Sequence, residues 1–293
     1  MQLGISLEPP FPTDDGSLGL RTALAAERLG FDYALVSGHV LANANGSAAD
    51  PLILLSAVAG ATQRIRLATS VLVAPYYDPV VLANQAATLD IASGQRFTLA
   101  VGTGWNPQEF GAVGVPVGQR GSRTDEHLRV IKELWSGAPV DFDGRYTTLR
   151  QAALGVTPRT PGGPPLWVGG HSDAALRRAL LLADGWHGSG VDAAGVLDVR
   201  RRLTALGEEL GRDAAALDLT TVCFLVPPGF RQTRDLPGRP LGGPAPTADS
   251  ILEELTGLEA AGISLCSLWM PVEARATEEA LEWIAEEVLR KIR

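Results

Sequence analysis

Cysteine is scarce: Cys223 and Cys266 are the two in 293 residues, and they share no C-x-x-C or metal-ligand spacing. A disulfide framework is thereby excluded and buried free thiols are the expectation. No apolar run approaches the roughly 18 residues a membrane span requires. The opening Met1-Gln2-Leu3-Gly4-Ile5-Ser6-Leu7 enters a strand-like run with no basic stretch ahead of it, so no secretory signal is read and the cytoplasm is the expected compartment. Basic residues are outnumbered, 25 against 33 acidic, for a net charge of −8. The densest basic group, Arg200-Arg201-Arg202, reads as part of a solvated helix, so nucleic acid is not an expected partner. No G-x-G-x-x-G follows the first strand, which weighs against an open dinucleotide-binding sheet. No charge run or low-complexity linker divides the chain, so one domain is expected over 1–293.

What is present is a rhythm. Short apolar runs, read as strands, begin at Leu3, Tyr33, Ile65, Phe97, Leu166, Trp186, Leu217 and Ser264. Amphipathic helical stretches follow them: Leu18–Leu29, Pro51–Thr62, Pro79–Ala92, Arg123–Trp135, Ala174–Ala183, Ala193–Leu210, Ala248–Ala261 and Glu278–Ile292. Eight βα units predict an α/β fold of the closed (β/α)8 TIM-barrel type. Insertions interrupt it near 104–121, 139–165 and 227–247, with a further loop at 40–50. Asp143-Gly144 between β-rich flanks predicts a hairpin in the second insertion. The third, rich in Gly and Pro without apolar period, reads as a mobile loop or lid.

Barrels carry their chemistry on the loops that follow the strands. Here the strand ends are Glu8, Gly38-His39, Ser70–Ala74, Gly102-Thr103-Gly104-Trp105, Gly169-Gly170 and Gly188-Ser189-Gly190, rich in glycine and hydroxyls and without His-x-His or clustered carboxylates. That suits a large flat ligand held by backbone and not a metal ion. The turn Pro164-Pro165-Leu166-Trp167-Val168-Gly169-Gly170-His171-Ser172-Asp173 runs from strand to helix, and Ser172 or Asp173 can cap that helix, leaving free amides as an anion cradle. A glycine-rich turn with no ligand remains the alternative. His39 is open between a structural and a catalytic role, His187 between core and cavity lining, and Trp105 between cavity wall and core anchor. His127, among charged neighbours, is expected at the surface.

Several stretches together resemble the bacterial luciferase-like flavin/deazaflavin oxidoreductase superfamily: Ser37-Gly38-His39-Val40, Ser70-Val71, Leu89-Asp90-Ile91-Ala92-Ser93-Gly94-Gln95-Arg96, Val101-Gly102-Thr103-Gly104-Trp105 with Glu109-Phe110, Arg120-Gly121, Asp125-Glu126, Leu134-Trp135 and Ala183-Asp184-Gly185-Trp186. Within it the chain looks most like the coenzyme F420-dependent branch. The resemblance implies a (β/α)8 barrel with insertions, a homodimer, and a cis peptide between Ser70 and Val71 against the back of the cofactor ring. It also implies that Val73, Thr103, Gly104 and Gln108 contact the ring or its tail, and that Gly169, Gly170, Ser172 and Asp173 hold the phosphate. His39 matches the histidine near the hydride-bearing carbon.

Two departures stand out. Gly38 takes the place of the aspartate that precedes this histidine in the family, and Trp105 stands where sugar-phosphate dehydrogenases of the branch carry a catalytic carboxylate, which favours a more apolar substrate. Glu109 would substitute as an acid or, more ordinarily, pair with Arg120 or Arg123. The implied activity is hydride transfer between coenzyme F420 and a small organic substrate. An FMN-dependent monooxygenase is the alternative enzyme, and a flavin- or deazaflavin-binding protein without turnover the alternative outside catalysis.

Overall fold

A computed structural model describes residues 1–7, 18–42 and 49–293 of the chain. Glu8 and most of the 40–50 loop, including Asn43, Asn45 and Gly46, lie outside the described residues. The strands are β1 Gln2–Ser6, β2 Tyr33–Gly38, β3 Arg66–Val73, β4 Phe97–Gly102, β5 Val140–Asp143, β6 Thr148–Ala152, β7 Leu166–Gly169, β8 Gly185–Ser189, β9 Asp218–Phe224 and β10 Leu265–Trp269. Eight of them close into a barrel in the order β1-β10-β9-β8-β7-β4-β3-β2, every pairing parallel. The remaining two, β5 and β6, form the antiparallel hairpin expected around Asp143-Gly144. Around the barrel run α1 Leu18–Leu29, α2 Pro51–Ala61, α3 Pro79–Ala92, α4 Pro107–Ala112, α5 Arg120–Leu134, α6 Asp173–Leu182, α7 Ala193–Leu210, α8 Ala248–Ala260 and α9 Thr277–Ile284, with one wide π turn, Ala285–Leu289, leading from α9 to α10 Arg290–Ile292. Among the described residues no helix is long and apolar enough to cross a membrane.

The period-2 alternation of each strand explains where the interior is filled and where it is empty. Outward residues such as Leu67, Leu99, Val101, Leu166 and Val168 meet the helices in the main core. Inward residues begin bulky at the strand starts, where Tyr33, Leu35, Ala68, Ala100, Trp167 and Leu265 pack together. Two residues further along the same strands the inward positions shrink to Ser37, Ser70, Gly102 and Gly169. The barrel is plugged at its amino-terminal end and hollow at the end where chemistry is placed.

β3 carries one more residue than its neighbours need. Val36 to Gly38 on β2 faces Thr69 to Leu72, and Thr98 to Val101 on β4 faces Ala68 to Leu72. This β-bulge contains the cis Ser70–Val71 peptide that the resemblance implies.

Carboxylates staple the loops beneath. Buried Asp90 accepts from the amides of Arg159 and Thr160 and from the Thr160 hydroxyl. Glu126 takes the amides of Arg145, Tyr146 and Thr147 at the hairpin, and Asp184 takes that of Leu166. Arg96 donates to the carbonyls of Ala59, Thr62, Ile65 and Ser93 around the end of α2.

The 227–247 segment differs from the free lid its composition suggests. Leu241 is buried, its amide bonds the Phe224 carbonyl, Gly242 donates to Glu254, and Thr233 is tied to the Pro271 carbonyl.

Candidate active site

The hollow end holds a cavity of about 360 Å³ lined by Ser37, His39, Ser70, Val71, Val73, Gly102, Thr103, Gly104, Trp105, Gly169, Gly170, His171, His187, Gly188, Ser189 and Val222. Its back wall is Val71. A Cβ on Gly102 would sit 2.8 Å from Val71 Cγ2, and one on Gly169 3.1 Å from Val71 Cγ1, so the valine is clasped between two strands that offer only backbone. At Gly104, φ is +75° and a Cβ would lie 2.6 Å from Val73, which makes glycine the residue this turn accepts. The absence of the family aspartate at Gly38 has a local reason: a Cβ there would lie 2.6 Å from Leu72 Cα and 2.9 Å from the Val71 carbonyl, inside the bulge.

At the rim stands His39. Its Nδ1 lies 3.0 Å from Glu109 Oε2, and Glu109 is fully buried on α4. The same carboxylate accepts from the amides of Val40 at 2.8 Å and Leu41 at 3.1 Å and from the Tyr76 hydroxyl at 3.2 Å. Burial alone would raise the Glu109 pKa, but the bonds from the Leu41 amide, His39 and the Val40 amide outweigh it and hold the carboxyl below its ordinary range. An ionised Glu109 therefore takes a proton-bearing Nδ1 and leaves Nε2 as the nitrogen available to a bound molecule. The expected partnership of Glu109 with an arginine does not occur: Arg120 bonds the Val117 carbonyl and Arg123 the Gln119 side chain. Trp105, 61% exposed, is no core anchor; it meets the His39 ring edge-on with centroids 5.6 Å apart and forms the outer wall.

The floor is His187, buried and stacked on Trp167 with ring planes 12° apart. Nε2 is 2.9 Å from Ser70 Oγ and Nδ1 is 2.8 Å from Thr220 Oγ1. Desolvation pushes its pKa down to about 4, so the ring is neutral.

Beyond Gly169-Gly170, where φ of Gly170 is +122°, Ser172 is the N-cap of α6 and accepts from the Ala175 amide. Asp173 is bound through its carboxylate to Arg202 at 2.6 Å, and the same guanidinium bonds the His171 carbonyl. What Asp173 offers an anion is its amide, one of the first-turn donors a helix leaves unpaired.

The structure thus brings His39, Ser70, Val71, Val73, Thr103, Gly104, Trp105, Gly169 and Gly170 to one cavity. Gln108, Ser172 and Asp173 do not line it; Gln108 is exposed, with its amide capped by Asn106. Glu109 lies behind His39, not in the cavity. His127, expected at the surface, is buried with Nδ1 3.4 Å from the Ala74 carbonyl, because its helix face turns inward beside Leu128 and Ile131. Ser37, Ser189 and Val222 line the cavity without having been singled out as site residues, while His187, left open between core and cavity lining, is both buried and part of the lining; the signal for all four is the inward register of β2, β8 and β9.

Comparison with known proteins adds a lineage. The luciferase-like monooxygenase family matches residues 1–228. An F420-dependent glucose-6-phosphate dehydrogenase of Nakamurella multipartita is 37% identical over 174 residues, covering 56% of this chain and 49% of that protein. An uncharacterized protein of Mycobacterium tuberculosis is 35% identical over 163 residues, 56% of each chain. The chain spans about half the length of the curated relatives it matches. Among solved structures, an F420-dependent secondary alcohol dehydrogenase in complex with an F420-acetone adduct superposes with a TM-score of 0.81 at 22% identity, covering 100% of this chain and 99% of that one. A type II Baeyer-Villiger monooxygenase of Pseudomonas putida in complex with FMN gives 0.78 at 17% identity, over 100% and 99%. Those two likenesses concern the fold. With more than three quarters of its length inside the matched region, this chain belongs to the luciferase-like monooxygenase family.

Proposed function

We propose that the protein is an F420-dependent oxidoreductase that moves a hydride between the deazaflavin and a small, uncharged organic substrate. The observation that carries this is the slot itself: Val71 backs a cavity whose flanks at Gly102, Gly104 and Gly169 are bare backbone, a shape that admits a flat ring and that a Cβ on any of the three would crowd. The relationship to an F420-dependent dehydrogenase supports it. Thr103 would meet the ring, and the turn at Gly169-Gly170 with the first amides of α6 would hold the anionic tail.

When bound, the deazaflavin supplies a two-electron hydride donor or acceptor. His39 Nε2 takes the hydroxyl proton as a substrate alcohol loses its hydride, and returns it in the reverse direction. Glu109 keeps the imidazole in that tautomer, and Trp105 closes the substrate side. Among the described residues the lining contains no Arg, Lys, Asp or Glu, a composition that favours an uncharged substrate.

Titrating coenzyme F420 and FMN against the protein, followed by fluorescence quenching, tests the reading. Saturable F420 binding with substrate-dependent reduction is the expected result. A second reading, an FMN-dependent monooxygenase, fits the same slot, and an oxygenated product formed from substrate, oxygen and reduced FMN only in the presence of the protein would replace the first reading with it. Binding without any substrate-dependent oxidation would leave a cofactor-binding protein.

We infer a homodimer formed through α2 and α3. The outward residues of α2 are Ile53, Ser56, Ala57, Gly60 and Ala61, and those of α3 are Val81, Asn84, Gln85, Thr88 and Ala92, with no charge among them. Ile53 is 75% and Val81 52% exposed in the single chain, two large aliphatic side chains on an uncharged face, which is what supports association there. The wild type is expected to scatter light as a dimer and Ala57→Glu as a monomer; a monomeric wild type would refute the inference. Two buried free thiols fit the reducing compartment, the cytoplasm, that we assign to it.

A further inference from the structure

The hydrogen bonds beneath the cavity run in one direction. The Thr220 hydroxyl lies 3.1 Å from the Trp186 carbonyl, which can only accept, and 2.8 Å from His187 Nδ1. Thr220 has one proton, and facing the carbonyl it must give that proton there. Its lone pair is then turned to His187, so Nδ1 carries the imidazole hydrogen and Nε2 is bare. A bare Nε2 2.9 Å from Ser70 Oγ takes the serine proton in its turn. Among the described residues Ser70 Oγ has no other hydrogen-bond partner, and the residue lines the cavity.

We propose that Ser70, its proton committed to His187, presents a hydrogen-bond acceptor on the cavity floor and so selects a ligand that brings an N–H or O–H donor to that point. His187 is then a positioning residue, acting on the ligand only through Ser70. The ligand half of this inference rests on the cofactor reading above; the polarity of the chain does not. On an oxidised flavin or deazaflavin ring the donor is the imide N–H, and on the tail it is a hydroxyl.

Three measurements decide it. In the free protein, 15N NMR of labelled histidines should show His187 protonated at Nδ1 and bare at Nε2; the opposite tautomer would overturn the proposal, because Ser70 would then be free to donate. Ser70→Ala should raise the cofactor Kd about tenfold, the worth of one ordinary hydrogen bond; an unchanged Kd overturns it. His187→Gln, whose side-chain oxygen can still accept from Ser70, should stay within about threefold of wild type, whereas His187→Leu should match Ser70→Ala. A glutamine variant as weak as the leucine variant counts against His187.

A ring methylated at the imide nitrogen separates the two donors. If the ring N–H is the partner, methylation weakens the wild type and Ser70→Ala adds nothing further. Additive losses assign the bond to a tail hydroxyl. A wild type that binds neither cofactor would refute the proposed function, while the NMR result would still settle the direction of the chain.

Discussion

Replacing His39 with alanine should lower kcat by about 100- to 1,000-fold, within the range of a positioned general acid or base, while the cofactor Kd stays within about twofold. The asymmetry follows from location. His39 stands at the rim against Trp105, whereas the surfaces that would hold a ring are Val71 and the glycines. The sharper variant is Glu109→Gln. With its oxygen kept toward the Val40 and Leu41 amides, its NH2 group would face His39 Nδ1, where the carboxylate Oε2 now lies at 3.0 Å. An NH2 there favours a bare Nδ1 and a protonated Nε2, the reverse of what the base requires. Glu109→Gln should therefore lose nearly as much turnover as His39→Ala with the ring still in place. Steady-state kinetics beside cofactor titrations check both, and wild-type turnover in either variant would remove this pair from the mechanism.

Acid should destabilise the fold before its carboxylates are titrated. Burial holds His187 near a pKa of about 4 against an ordinary 6.5. Between those values the unfolded chain binds a proton that the folded chain refuses, so stability falls as pH drops. The contribution is complete above about 6.5 and gone near 4, and it amounts to about 3 kcal/mol across the window. His127, also desolvated, is shifted the same way and adds to the slope. Urea unfolding at pH 7, 5.5 and 4.5 should show this decline, and His187→Gln should flatten it. A wild type equally stable at pH 7 and 4.5 would mean that the ring is not held neutral.

The barrel was legible because alternation and helical period both survive in the sequence: α1, α3 and α7 lie where the apolar pattern puts them. The bulge in β3 was not legible from pattern, since one extra residue inside an apolar run leaves no mark, and only the cis peptide it contains came with the family resemblance. Glu109 was misassigned because its partners, His39, Val40 and Leu41, are about 70 positions away, while the arginines considered for it are near in sequence. The motif Asp90 and Arg96 likewise hold loops instead of ligand, through bonds to distant backbone that no local spacing announces. His127 shows the opposite error, in which charged neighbours mask a helix position that faces inward. Glycine clusters, in contrast, were a direct signal, because an inward strand position without a side chain is an empty place in the barrel.

The clasp of Val71 between Gly102 and Gly169 also constrains how this cavity can diverge. A methyl group at 102 would displace one branch of Val71, 2.8 Å from it, and one at 169 would press on both branches from 3.1 and 3.2 Å, while widening residue 71 presses on both strands at once. Substitutions at the three positions should therefore travel together through descent: a relative with alanine at 102 or 169 is expected to carry a smaller residue in place of the valine.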